Sequence, residues 1–217
     1  MTNKKRVGVL ISGRGSNLQA LITACKKRDY PAEIVLVISN VPQAPGLLRA
    51  EAALIPTRTI DHKNFPTREA FDAALDAGLN DNQVELLCNA GFLRLHTPRF
   101  AERWRDRHLN VHPSLLPAFR GLHSHERVIA AGCKISGCTI HFVRAEMDEG
   151  PIVAQAAVPV LASDTAETLA ARVLEAEHHL YPHALALVAS GAVFVEGERV
   201  FDTNEQAQVP LFSPPLA

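Results

Sequence analysis

The amino-acid sequence predicts an α/β protein with a doubly wound, mostly parallel sheet that ends in an antiparallel portion. Three observations carry this expectation. Short apolar runs alternate with segments of helical spacing through the first half of the chain. The first such run ends in a glycine-containing turn, Gly13-Arg14-Gly15-Ser16-Asn17, that leads into a helix. Beyond Gly121 the pattern changes to a helix, two neighbouring strands and one long helix, so antiparallel pairing is expected there.

Taken in order, residues 6–11 read as a buried strand, and residues 18–27 carry helical spacing at Leu18, Leu21, Ile22 and Cys25. Residues 32–38 form a second apolar run closed by Ser39-Asn40, then come a helix over about 44–53 and a short strand at 57–60. Pro66 stands at a helix start, with Phe71, Leu75 and Leu79 on one face. Residues 84–90 make the next strand, ended by Gly91-Phe92, followed by a short helix at 97–105 and a brief strand at 109–111. Right-handed crossovers follow from the parallel topology. Residues 123–131 read as helix, 138–143 and 152–160 as a hairpin-like strand pair, with the charged stretch 144–151 as the loop between them. Residues 165–188 form a long helical segment, with an interruption or bend expected near Pro182. Residues 192–201, centred on Gly197-Glu198, suggest a terminal hairpin, and 209–217 a mobile Pro-rich tail. Neither repeat nor linker breaks the chain, so one domain over 1–217 is expected.

Bulk properties bound the function. A length of 217 residues suits one α/β domain, and 47% hydrophobic with 21% charged residues is ordinary for a globular protein. The net charge of −1 creates no field favouring nucleic acid or an anionic membrane. The apolar runs are too short to span a bilayer, and the one after the basic N-terminus is too short for a signal-peptide core. The four cysteines show no Cys-x-x-Cys spacing, which fits reduced thiols and a cytoplasmic location.

Three segments carry candidate chemistry. In the turn 13–17, glycines let backbone N–H groups converge at a helix N-terminus, an arrangement that suits an anion. Leu18 stands where a dinucleotide fingerprint needs glycine, and the Gly-Lys-Ser/Thr of a nucleotide-triphosphate loop is absent, so a monophosphate ester fits better. A plain strand-to-helix turn capped by Ser16 or Asn17 would look the same.

In Asn110-Val111-His112-Pro113, period-two geometry turns an amide and an imidazole to one face. Such a pair can stabilise an oxyanion while moving a proton. A hydrogen-bonded structural histidine is the alternative, and a metal site using His108 and His112 would need the helix that Pro113 opposes. The third segment, 144–151, holds Glu146, Asp148 and Glu149. A carboxylate beside an imidazole favours the protonated ring and fixes its orientation, and Asp148 just ahead of Gly150-Pro151 is placed for that. Taken alone, the segment reads better as a solvated charged loop.

Together these segments resemble the folate-dependent formyltransferases, most closely the branch that formylates glycinamide ribonucleotide. The likeness runs from about Arg6 to Gly191. It rests on Ile-Ser-Gly-Arg-Gly-Ser-Asn-Leu-Gln-Ala-Leu (11–21), Arg-Glu-Ala-Phe-Asp (68–72), Ala-Gly-Phe-Leu-Arg (90–94) and Asn-Val-His-Pro-Ser-Leu-Leu-Pro (110–117). Gly-Cys-Thr-Ile-His-Phe-Val (137–143), Met-Asp-Glu-Gly-Pro-Ile (147–152) and Glu-His-His-Leu-Tyr-Pro (177–182) extend it.

The resemblance implies a Rossmann-like formyltransferase fold with a phosphate- and ribonucleotide-binding half at 1–105, a catalytic and folate-binding half at 106–191, and the hairpin and tail at 192–217. It implies transfer of the formyl group of 10-formyltetrahydrofolate to the amine of glycinamide ribonucleotide, a step of purine (IMP) synthesis, without a metal. Asn110, His112 and Asp148 would be catalytic. Gly15, Ser16, Asn17 and Glu177 would hold the ribonucleotide. Arg68, Leu93, Arg94, Leu95, His96, Asn110, Arg144, Ala145, Glu146, Met147 and Asp148 would meet the folate. His141 would support rather than act as the acid. Small molecules would be the partners, with no nucleic acid or membrane, and the protein would be a monomer or homodimer.

The sequence departs from the family pattern at Arg14, where a small polar residue is expected, at His96, usually apolar, and at Ala145, commonly acidic. Asn89 interrupts an apolar strand, and Arg120-Gly121 is similar to the sequence after this motif in methionyl-tRNA formyltransferases. Those enzymes usually carry a C-terminal RNA-binding domain, and formyltetrahydrofolate deformylases an extra N-terminal domain. Neither extension is expected here. A folate-binding protein without turnover would not need Asn110, His112 and Asp148 together.

Overall fold

The computed structural model describes residues 4–203 and 213. Its main sheet has seven strands in the order β3-β2-β1-β4-β5-β6-β7. The parallel strands are β1 (Lys5–Ile11), β2 (Ala32–Ser39), β3 (Thr57–Thr59), β4 (Leu86–Asn89) and β5 (His108–His112). β6 (Ile135–Phe142) and β7 (Ile152–Pro159) then run antiparallel, as the change of pattern beyond Gly121 implies. A separate two-stranded sheet pairs β8 (Val193–Glu196) with β9 (Arg199–Asp202). The expected tail at 209–217 lies outside the described residues, apart from Ser213.

Strand order reverses between β1 and β4, where crossovers leave toward opposite faces and open a crevice at the carboxyl ends of the strands. The core explains why β1 is uncharged from Val7 to Ile11. Val7, Val9 and Ile11 pack with Leu18, Leu21 and Ile22 of α1 (Ser16–Cys25) and with Tyr181, Ala184 and Leu185 of α6 (Ala166–Ser190). Leu10 joins the cluster on the other face, with Phe71, Leu75 and Leu79 of α3 (Arg68–Asp81) and Phe100 of α4 (Pro98–Arg103). Period-two alternation therefore feeds two cores from one strand. Gly8 leaves room for that second core, since a Cβ there would stand 2.7 Å from Leu79 Cδ2.

The remaining helices are α2 (Pro45–Ala52) and α5 (Ser124–Ala130). Element ends depart from the sequence expectation mostly by a residue or two, with two physical corrections. Pro66 does not start α3. Thr67 caps that helix, its hydroxyl accepting from Ala70 N at 3.2 Å, and Pro66 precedes the cap. Nor does Pro182 interrupt α6, which is continuous from Ala166 to Ser190. Packing of the fully buried Tyr181, Ala184 and Leu185 outweighs the bond that Pro182 cannot donate, and Tyr30 Oη donates to Pro182's own carbonyl at 2.6 Å. Among the described residues no helix is long and apolar enough to cross a membrane.

Candidate active site

The turn after β1 is shaped by close backbone approach. Gly15 has φ +70°, and a Cβ on it would meet Gly46 Cα at 2.7 Å. Gly46 N donates to Gly13 O at 3.0 Å and Arg49 Nε to Arg14 O at 2.9 Å, so the start of α2 braces the turn. Helices α3, α4 and α6 begin with threonine caps, whereas α1, which follows Gly15, has no side-chain cap, as is also true of α2 and α5. The first-turn N–H groups of α1 therefore lack the side-chain acceptor that the threonine-capped helices have, which suits an anion.

Asn17 lies within that first turn but faces inward. Its Nδ2 donates to Glu177 Oε2 on α6 at 2.7 Å, and its Oδ1 has no protein partner. Burial raises the Glu177 carboxyl above the usual range, and the bond from Asn17 opposes the rise. The two residues expected at the ribonucleotide thus touch each other, joining the turn to α6.

Asn110 and His112 leave the end of β5 on one face, and antiparallel register sets His141 of β6 opposite Asn110. His141 Nδ1 lies 3.0 Å from the Phe142 carbonyl, so that nitrogen carries the hydrogen and Nε2 accepts. Asn110 Nδ2 donates to this Nε2 at 3.2 Å, which fixes which end of the amide is the donor. Burial lowers the His141 pKa, opposed by the Phe142 hydrogen bond and by Asp148, in keeping with a neutral accepting ring. A second Asn110 N–H remains for another acceptor.

His112 is buried, with Nε2 3.0 Å from Phe119 O and Nδ1 3.3 Å from Asp148 Oδ2. Both ring nitrogens face acceptors, so both have partners only when both carry hydrogen. Asp148 Oδ2 also accepts from Gly121 N at 2.9 Å, and Oδ1 lies 3.8 Å from His141 Nε2. Asp148 has φ +56°, an uncommon conformation for a non-glycine residue. Two residues on, Gly150 presses against β6, where a Cβ would come 1.7 Å from Phe142 O. Asn110, His112 and Asp148, separated in sequence, are therefore brought together. His108, two residues before Asn110 on β5, lies against the His96 and Phe100 rings with its Nε2 2.9 Å from Asn89 Oδ1, which gives the polar interruption of β4 a purpose.

The loop after β4 presents Leu93 and Leu95 to solvent at 78% and 57% exposure, an apolar edge beside the crevice. Ser12 holds it in place, accepting from Leu93 N at 2.8 Å and donating to Asn40 Oδ1 at 2.6 Å. Arg94 is half-buried, and Arg68 is exposed at the first position of α3. The His96 side chain does not face this edge. It stacks between Phe92 and Phe100, with centroids at 5.2 and 4.4 Å, and pairs with Asp72 at 3.3 Å. That stack and the bond to Asp72 draw the imidazole inward, away from solvent. Ala145, Glu146 and Met147 are exposed on the loop that carries Asp148, and Arg144 anchors its start.

Sequence reasoning missed Phe119 O, Gly121 N and the role of Ser12. Backbone acceptors and donors leave no residue-type signal. Only the glycine at 121, with φ +77°, hinted at a special turn.

A doubly wound α/β sheet thus carries an uncapped helix start at one strand end and an amide–imidazole–carboxylate trio at another. The chain belongs to the formyl transferase family, whose profile matches residues 5–185. It is 43% identical over 187 residues to the phosphoribosylglycinamide formyltransferase of Haemophilus influenzae, covering 86% of this chain and 88% of the relative. It is 54% identical to the trifunctional purine biosynthetic protein adenosine-3 of Gallus gallus over 89% of this chain, yet spans only 19% of that relative. Among solved structures, glycinamide ribonucleotide transformylase 1 of Symbiobacterium toebii superposes with a TM-score of 0.90 at 46% identity, covering 93% of this chain and 95% of the other.

Proposed function

We propose that this protein transfers the formyl group of 10-formyltetrahydrofolate to the amine of glycinamide ribonucleotide, releasing the N-formyl product and tetrahydrofolate. The observation that carries the proposal is the convergence of Asn110, His112 and Asp148 on one strand end, two strands from an uncapped helix N-terminus. Two inter-strand steps separate β1 from β5, about 10 Å, a span suited to a phosphate at one end and a reacting amine at the other.

The substrate amine attacks the formyl carbon, and negative charge develops on the formyl oxygen. The second Asn110 N–H donates to that oxygen, oriented by His141 holding the first. His112, with its two ring nitrogens turned to Phe119 O and Asp148, supplies positive charge beside it, sustained by Asp148. As the tetrahedral adduct collapses, the amine proton passes to the leaving folate nitrogen through a water that Asp148 orders, so no proton is gained or lost overall. The N–H groups at Gly15, Ser16 and Asn17, together with the Ser16 hydroxyl, hold the phosphate, and Glu177 meets the sugar hydroxyls. Leu93, Leu95 and Met147, all exposed, cover the flat pterin, with backbone groups reading its polar edge. Arg68, Arg94 and the backbone at His96 complete the folate side, with Arg144, Ala145 and Glu146 on the opposing loop.

Ser16→Ala tests the phosphate half by raising the KM for glycinamide ribonucleotide while leaving that for the folate unchanged. A rise confined to the folate KM would contradict the assignment.

A further inference from the structure

The loop that carries Asp148 is fastened at its beginning by Arg144, whose side chain is only 11% exposed. Arg144 Nη2 donates to Asp106 Oδ1 at 2.6 Å, Nε to Glu198 Oε2 at 2.9 Å, and Nη1 to Val143 O at 3.2 Å. Glu198 lies in the turn between β8 and β9, remote in sequence from every proposed catalytic group, and takes a further close contact from Arg105. Although desolvation opposes it, hydrogen bonds from Arg144 and Arg105 hold the Glu198 carboxyl below the usual range.

Between Arg144 and Gly150 the chain has little freedom. Gly150 approaches β6 too closely for a Cβ, Phe142 N donates to Pro151 O at 2.9 Å just beyond it, and Asp148 occupies a left-handed conformation uncommon for a non-glycine residue. A conformation disfavoured in isolation persists only where both ends are held. Isolated surface ion pairs contribute little, but the planar Arg144 fork is withdrawn from water and met by carboxylates from two separate elements.

We infer that Glu198 is a positioning residue for the Asp148 loop, acting through Arg144, so that the C-terminal hairpin helps set the carboxylate that faces His112. The kinetic part of this rests on the function proposed above.

The test compares Glu198→Gln, Glu198→Asp, Arg144→Gln and the Glu198→Gln/Arg144→Gln double variant in the full chain. Hydrogen exchange across residues 144–150, kcat, both KM values and Tm are measured. Glu198→Gln is expected to speed exchange in the loop and to lower kcat by about 5–10-fold, since small misplacements near reacting groups are costly. The KM for the ribonucleotide is expected to stay unchanged, and Glu198→Asp to recover part of the loss. The double variant is expected to be no worse than Arg144→Gln alone, because the two residues act in series. Unchanged loop exchange in Glu198→Gln, or losses that multiply in the double variant, would overturn the inference. If the unsubstituted chain fails to transfer formyl groups, the functional proposal falls, and loop exchange still decides the role of Glu198.

Discussion

Replacing Asp148 with asparagine separates the charge of this side chain from its shape. Asp148 Oδ2 accepts from Gly121 N at 2.9 Å and faces His112 Nδ1 at 3.3 Å. The asparagine Oδ1 can keep the bond to Gly121, so the loop retains its fold while the charged partner of the imidazole disappears. A hydrogen bond to a charged group contributes about 1.5–3 kcal/mol. At ~1.4 kcal/mol per decade of rate, that alone lowers turnover by one to two decades. Loss of the ordered proton path adds to it, so kcat should fall at least ~100-fold. The assay is tetrahydrofolate release with both substrates saturating, alongside circular dichroism and a melting curve to verify the fold. A folded Asp148→Asn protein whose kcat stays within about threefold of the original would refute the reasoning.

Other expectations follow from the same geometry. Gly15→Ala combines left-handed strain of about 1–2 kcal/mol with a Cβ 2.7 Å from Gly46 Cα, and should lower Tm by roughly 4–10 °C and raise the ribonucleotide KM. Steady-state kinetics that locate its effect in the folate KM would contradict the phosphate assignment. Glu177→Gln should raise Tm at neutral pH. The raised carboxyl pKa means that the folded state holds its proton more tightly, so stability is lost as pH rises from 4.5 through the folded value. Glutamine removes that loss and can donate to the unpartnered Asn17 Oδ1, so the gain should vanish near pH 4 while ribonucleotide binding weakens. Burial, the largest cause, lowers the pKa of both His108 and His141, so the unfolded chain binds more protons and stability should decline as pH falls below 6.5. Urea midpoints that stay flat from about pH 7 to 5 would count against buried neutral rings there.

What the sequence discloses here is what local pattern can carry. The unalternating apolar residues of β1 announce a strand covered on both faces, and the Asn110–His112 spacing announces a shared face. The Asp148 partnership was legible only through the family resemblance, because the segment around Gly150-Pro151 taken alone reads as a solvated charged loop. His96 was not, since its loop position suggests exposure while Asp72 and Phe100 draw the ring inward. The His141–Asn110 contact depends on antiparallel register between β5 and β6, which no single segment specifies. Pro182 misleads for a related reason. Local propensity disfavours the helix, and burial on both sides of it restores one.

The most direct measurement supplies the protein with 10-formyltetrahydrofolate and offers glycinamide ribonucleotide or water alone as acceptor. The account predicts rapid tetrahydrofolate release with formylated ribonucleotide accumulating in step, little release with water alone, and loss of both products in Asp148→Asn. Equal folate release in the presence and absence of the ribonucleotide, with formate as the product, would contradict it.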